Sequence, residues 1–110
     1  YGLIDIALDP FPNGGCTTTC EALWMGVPVI TLCGSHYVSR MASAVLQGAN
    51  LPEWIAKSPE QYLTIACKAA DRLGAIRQGR KDLRAHLQNS PMGDAADLAD
   101  HLWHCFESLD

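Results

Sequence analysis

The sequence has 110 residues, 48% hydrophobic and 18% charged, with a formal net charge of −4, the composition of one globular domain. Net acidity excludes a general attraction for polyanions, so nucleic acid and anionic membrane surfaces are not expected partners, and any anion must be bound locally. No apolar run approaches the roughly 18 residues of a membrane span and no basic leader opens the chain, while Cys16, Cys20, Cys33, Cys67 and Cys105 are odd in number and scattered, unlike a disulfide framework. The expectation is a cytoplasmic protein with reduced, mostly buried thiols. An apolar strand pattern almost directly after Tyr1 further reads as a segment cut from something larger.

Leu3 to Leu8 is short and apolar and runs into the breakers Asp9-Pro10-Phe11-Pro12-Asn13-Gly14-Gly15, which predicts a buried strand ending in a loop. Thr17 to Met25 predicts a short helix stopped by Gly26 and Pro28. Val29 to Leu32 is β-branched and continuous, as in a strand covered on both faces of a parallel sheet. Ser39 to Gln47 has helix character ending at Gly48, and Leu51 to Ala56 predicts a third short strand that Pro52 and Glu53 interrupt. Ser58-Pro59-Glu60-Gln61 supplies an N-cap, a proline at the first helical position and a capping-box glutamine for an amphipathic run through Tyr62, Ile65, Ala66, Ala69 and Leu73. Ile76, Leu83 and Leu87 predict one further helix despite Gly79, its basic face solvated. Asp94 can cap a last helix with an apolar stripe of Leu98, Leu102, Trp103, Phe106 and Leu109, which must pack on something. Strand and helix alternate in the first half and helices follow, so the fold class is α/β, about three parallel strands followed by packed helices, in one unit spanning 1–110.

The stretch Asn13-Gly14-Gly15-Cys16-Thr17-Thr18-Thr19 joins the carboxyl end of a strand to a helix start, the edge where open α/β sheets bind ligands. Glycines let the backbone approach a ligand, the first helical N–H groups lack intrahelical partners, and the helix dipole adds about half a positive charge. Hydroxyls of Thr17, Thr18 and Thr19 add donors, with no lysine of the P-loop type, so the expected ligand is a diphosphate held by neutral donors. Glu21 follows Thr17 by about 6 Å along a helix, roughly the distance from a phosphate to its ribose. Two roles fit Glu21: acceptor for ribose hydroxyls, or partner of Thr18 in a T-x-x-E capping box.

Asn13 to Val29, read as NGGCTTTCEALWMGVPV, resembles the nucleotide-binding segment of the protein O-linked N-acetylglucosamine transferase family, bacterial type. Leu8 to Pro12, Ser39-Arg40, Leu51 to Ser58, Gln61-Tyr62 and Ser90-Pro91 extend the resemblance over nearly the whole chain. It implies the C-terminal half of the second, Rossmann-like domain of a GT-B glycosyltransferase, with a UDP-sugar of the UDP-N-acetylglucosamine type as donor and protein serine or threonine hydroxyls as acceptors. By the same resemblance the backbone and hydroxyls of Thr17 and Thr18 match diphosphate contacts and Glu21 matches the acidic residue on the uridine ribose, with Gly15 and Cys16 beside them in the expected nucleotide-binding set. Cys16 departs from the His or Thr common at its position, and a thiol is a weak donor, although its backbone N–H still serves. The family's uracil contacts, active-site lysine, acceptor-side histidines and tetratricopeptide repeats fall upstream of the point matching Tyr1. This segment therefore contributes neutralisation of the leaving diphosphate, holds no catalytic residue, needs no metal or other cofactor, and is expected to be inactive alone.

Other readings stay open at this point. One is a metal or redox module using His101, His104 and Cys105 with Cys16 and Cys20, set against ordinary surface histidines beside a buried thiol. Another is a non-catalytic nucleotide-binding or interaction module with Trp24, Trp54 and Trp103 as contacts, set against core packing of all three. A transferase using UDP-glucose would share much of this motif. Asp9 reads as a turn-capping residue rather than a catalytic acid. Arg40 can reach a phosphate or lie in an ordinary ion pair, and His36 faces the donor sugar or nothing. On the Rossmann order the Leu3 to Leu8 strand would be internal, and without its neighbour the segment is expected to self-associate.

Overall fold

The computed structural model describes residues 1–12 and 14–109, so Asn13, the first residue of the predicted turn, lies outside the described residues. Three parallel strands, β1 (Ala7–Leu8), β2 (Val29–Leu32) and β3 (Ile55–Ala56), form a sheet in the order β1-β2-β3, with Ala7 paired to Val29 and Thr31 to Ile55. Helices α1 (Thr17–Trp24) and α2 (Met41–Gly48) supply the crossovers, and α3 (Pro59–Ala70), α4 (Leu73–Gln78), α5 (Arg80–Gln88) and α6 (Ala95–Glu107) follow. This is the α/β arrangement of strands first and packed helices after.

The crossovers exist because the sequence stops each helix on time. Gly26 adopts φ 78° after the C-cap Met25, a left-handed conformation that suits glycine, and Val27 N–H donates to the Ala22 carbonyl at 2.8 Å. The chain then enters β2, whose side chains alternate between two covered faces. Val29 joins Ala22, Leu23, Val45, Leu46, Ala49, Leu51 and Leu87 in one cluster under α1, α2 and α5, whereas Ile30 is fully buried on the face that α3 covers. Leu23 and Leu46 are both 0% exposed, each contributing roughly 2–3 kcal/mol of apolar burial.

Three boundaries differ from expectation. The predicted strand Leu3–Leu8 is strand only at Ala7–Leu8; Leu3 is fully exposed, because no partner backbone lies beside the earlier residues among those described. Leu51 to Ala56 divides into a 3-10 turn at Pro52–Trp54 and the two-residue β3, since Pro52 fixes a helical φ and gives no N–H to a ladder. The helix predicted around Ile76 to Leu87 is two helices, split at Gly79.

The helix starts are those the sequence implies. Ser58 Oγ accepts from Gln61 N–H at 3.1 Å, and Asp94 Oδ1 accepts from Asp97 N–H at 2.9 Å. Long-range polar contacts fasten the N-terminal stretch: Arg77 forms a two-pronged ion pair with Asp5, and Arg80 donates to the carbonyls of Tyr1, Ile4 and Met25. The Arg77 guanidinium holds the Asp5 carboxyl below its ordinary pKa. Helix α6 differs from the rest. It rests on the Pro91–Gly93 turn, and Leu98, Leu102, Trp103, Phe106 and Leu109 are all exposed.

Candidate functional site

The loop after β1 is organised by one carboxylate. Asp9, 7% exposed, donates its N–H to the Ile30 carbonyl to complete the β1–β2 pairing, and its side chain turns back toward the loop. Oδ1 accepts from Gly15 N–H at 2.8 Å, and Oδ2 accepts from the Thr31 hydroxyl at 2.7 Å. From the other face of the sheet the Tyr62 hydroxyl donates to the Asp9 carbonyl at 3.0 Å, while its ring meets Phe11 edge-on at 5.3 Å. Burial, and after it the nearby Asp9 carboxylate, raises the Tyr62 pKa, so the hydroxyl stays a donor. Asp9 is thus the turn-capping residue, with both oxygens engaged.

That clamp aims the start of α1. A Cβ at Gly15 would collide with Thr18 Oγ1, so any side chain there would force the Thr18 hydroxyl to turn away. Gly14 N–H donates to the Val38 carbonyl at 3.1 Å, joining this loop to the one after β2. The Thr19 hydroxyl donates to the Gly15 carbonyl at 2.8 Å and Thr19 is buried. Gly15 N–H and the Thr19 hydroxyl are therefore already committed inside the protein.

The N-cap of α1 is Cys16, with no side-chain cap, so Thr18 lies inside the first turn and the T-x-x-E box does not form. Among the described residues the N–H groups of Thr17 and Thr18 find no acceptor, both threonines are exposed, and Glu21 is exposed one turn further along with no partner. The arrangement can offer backbone and hydroxyl donors to an anion at one end and a free carboxylate to hydroxyls at the other. Glu21 borders a groove of about 520 Å³ with Trp24, Leu87 and Gln88, and Cys16 borders a second of about 540 Å³ with Arg40 and Tyr37. The two grooves meet at Met92. Burial, reinforced by the neighbouring Cys16, pushes the Cys20 thiol pKa up.

The other candidates are spread out. Arg40 is the exposed N-cap of α2, beside the groove that Cys16 also borders. His36 is exposed in the loop that Ser39 closes by accepting from His36 N–H at 3.1 Å. His101 and His104 lie on α6 beside Asp97 and Glu107, and Cys67 and Cys105 are exposed rather than buried, because their helices present those faces to solvent. Among the described residues no three His, Cys, Asp or Glu side chains cluster as metal ligands do. Core packing holds only for Trp54; Trp24 is 41% exposed under the Arg84 guanidinium, 4.1 Å from its ring, and Trp103 is 63% exposed. Thr31 and Tyr62 were not singled out from sequence as site residues. Thr31 does carry a signal, as the one hydroxyl within the otherwise apolar strand β2.

A parallel sheet with an open helix start at its carboxyl edge, followed by packed helices, is the arrangement of half of a Rossmann-like domain. Comparison with known proteins narrows this to one family. The model of glycosyl transferase family 41 matches residues 2–102, and the chain belongs to that family. It is 36% identical over 109 residues to a probable UDP-N-acetylglucosamine–peptide N-acetylglucosaminyltransferase SPINDLY of Hordeum vulgare, covering 99% of this chain and 12% of that protein. It is 30% identical over 113 residues to the UDP-N-acetylglucosamine–peptide N-acetylglucosaminyltransferase of Caenorhabditis elegans, covering 96% of this chain and 10% of that one. Among solved structures, an O-GlcNAc transferase mutant of Thermobaculum terrenum superposes with a TM-score of 0.74 at 40% identity, covering 90% of this chain and 20% of its own. The fold is the C-terminal half of a Rossmann-like GT-B domain. The chain spans about an eighth or less of the two enzymes from Hordeum vulgare and Caenorhabditis elegans. No helix among the described residues is long and apolar enough to cross a membrane.

Proposed function

We propose that this chain is the nucleotide-sugar-binding segment of a cytoplasmic glycosyltransferase that moves N-acetylglucosamine from a UDP donor to serine or threonine hydroxyls of proteins. The observation that carries this reading is the start of α1: Thr17 and Thr18 are open to solvent at the carboxyl edge of the sheet, with Glu21, unpartnered among the described residues, one turn beyond. The diphosphate binds across Cys16 N–H, Thr17 and Thr18, where the donors are already fixed and favour the charge that grows on the departing UDP. Glu21 accepts from the ribose hydroxyls. Asp9, Gly15 and Thr19 hold the turn in shape, and Arg40 lies close enough to the groove at Cys16 to add a cation. The donor is held without a metal or other cofactor. The acceptor protein and the proton-accepting group are supplied by other parts of the protein, and the segment alone is inactive.

The test is UDP binding to the full-length protein by calorimetry. Thr17→Val and Thr18→Val each remove a hydroxyl while keeping shape, and are expected to weaken binding about five- to tenfold. Glu21→Gln should weaken it by a similar factor with the unfolding temperature unchanged, since Glu21 has no intramolecular partner among the described residues. Equal UDP affinity in all three variants would refute the assignment. Exposed apolar residues on α6 and at Leu3, Ile4 and Leu8 further imply that the segment on its own self-associates, read by light scattering.

A further inference from the structure

The groove between the start of α1 and α2 carries two thiols and a buried hydroxyl that diphosphate binding does not use. Cys16 and Cys33, free thiols from two different elements, both border its volume of about 540 Å³, together with Tyr37, Arg40, Ser43 and Met92. That volume is in the range of sites for small organic ligands. Arg40 is exposed and has no carboxylate partner among the described residues. Ser43 is 3% exposed, and its Oγ is the one buried side-chain oxygen or nitrogen among the described residues without a hydrogen-bond partner. An unpaired buried hydroxyl is costly, and Ser43 lines the groove, so a ligand carbonyl held there would give it a partner.

The thiols near the groove are not equivalent. The Cys20 pKa is raised by burial, and Cys33 Sγ lies 3.8 Å from the Gly34 carbonyl, to which it donates weakly. Cys16 is half-buried at the N-cap of α1, makes no side-chain cap, and directly precedes the two open threonine amides.

We infer that the groove receives a small anionic disulfide of the glutathione type and that Cys16 exchanges with it, forming a mixed disulfide that closes the adjoining nucleotide site. A carboxylate of the ligand meets Arg40 and its peptide groups meet Ser43, which places the disulfide against Cys16. The Cys16 thiolate attacks one sulfur; a bond from Cys16 Sγ to that sulfur forms as the original S–S bond breaks. The departing thiolate takes a proton from water, so Cys16 is oxidised and the released thiol is the reduced product. The closing of the site, but not the exchange, rests on the nucleotide reading above.

The experiment treats the full-length protein, without nucleotide, with glutathione disulfide or with the cationic disulfide cystamine. Adducts are located by peptide mass spectrometry, with the exposed Cys105 as reference. Relative to Cys105, Cys16 is expected to react about threefold faster with glutathione disulfide than with cystamine, the factor one exposed ion pair provides. Arg40→Gln should erase that preference, and Cys33→Ser should leave the Cys16 adduct in place. Adducts confined to Cys67 and Cys105, or a Cys16 rate indifferent to ligand charge and to Arg40, would overturn the inference. The Cys16 adduct should bind UDP about tenfold or more weakly, recovering with dithiothreitol; unchanged UDP affinity overturns the closing step. A protein that forms the charge-selective adduct yet never binds UDP supports the groove and refutes the proposed function, so the two failures are separable.

Discussion

The turn around Asp9 and the helix α6 solve opposite problems. At the turn, polar groups from positions 9, 15, 31 and 62 satisfy one another, so an irregular loop is held firmly without a ligand. On α6, a capped and regular helix carries Leu98, Leu102, Trp103, Phe106 and Leu109 into solvent. The turn is stabilised by tertiary contacts within the chain, and α6 mainly by local hydrogen bonds, its own ion pairs and the adjoining Pro91–Gly93 turn. Changes at the turn should therefore register as lost folding stability, whereas changes on α6 should register mainly as altered association.

The largest effect that would test this contrast is Asp9→Ala. It removes the acceptor of two hydrogen bonds made to a charged group and leaves the Gly15 N–H and Thr31 hydroxyl unpaired, a cost of about 3 kcal/mol or more. Urea unfolding of the full-length protein measures it, and UDP affinity should fall as the start of α1 loses its anchor. Asp9→Asn keeps one acceptor oxygen for Gly15 N–H and can still pair with Thr31, so about half the loss is expected. A cost below about 1 kcal/mol for Asp9→Ala would mean that the turn is held by something other than this carboxylate.

Packing under the same region gives the next effect. Leu46 is fully buried in the cluster joining α1, α2 and β2, and Leu46→Ala should cost about 3 kcal/mol by lost transfer energy and a residual cavity. The double change Trp103→Ser, Phe106→Ser on α6 of the 110-residue chain should instead alter stability by less than about 0.5 kcal/mol while lowering its self-association in light scattering. A large stability loss from the α6 pair would break the comparison, since it would place that face against the chain's own core.

How much of this was legible in sequence follows the same division. Strand β2 and helices α1 and α3 were readable because their signals are local: a β-branched run, a glycine stop, a serine cap three residues before its partner amide. The strand, loop and helix order around Gly14 and Gly15 was readable because strand, glycines and helix start are contiguous. The organisation of that loop was not, since Asp9 meets Thr31 and Tyr62 at separations of 22 and 53 residues, which no local pattern encodes. The Thr18–Glu21 box, one of the two roles open for Glu21 in sequence, does not form because the helix is capped two residues earlier than the motif assumes, at a cysteine that gives no side-chain cap. Periodicity likewise marked an apolar stripe on α6 that must pack on something, and among the described residues that stripe, Trp103 included, is exposed. Amphipathicity states that a face seeks burial, not that its partner lies within the same segment.

The smallest expected effect concerns pH and belongs to α6. The His101 pKa is raised above its ordinary value, first by a hydrogen bond to the Asp97 carbonyl and then by the Asp97 carboxylate, one helical turn away. A group whose folded pKa is raised contributes stability that is fully present below the unfolded value, about 6.5 for histidine, and is lost as pH rises through the folded value. The window therefore opens above about pH 6.5. The side chain is 73% exposed, so screening keeps the contribution small and confined to its own helix. Amide exchange along α6 should quicken modestly between about pH 6 and pH 8 beyond the intrinsic rate change, while exchange at β2 shows no such excess. Proton NMR of the His101 ring supplies the decisive number: Asp97→Asn should lower its midpoint toward the ordinary value. A midpoint unmoved by that substitution would show that the Asp97 charge contributes nothing. A matching pH response in β2 would show that α6 is coupled to the core, and the contrast between the two regions would then fail.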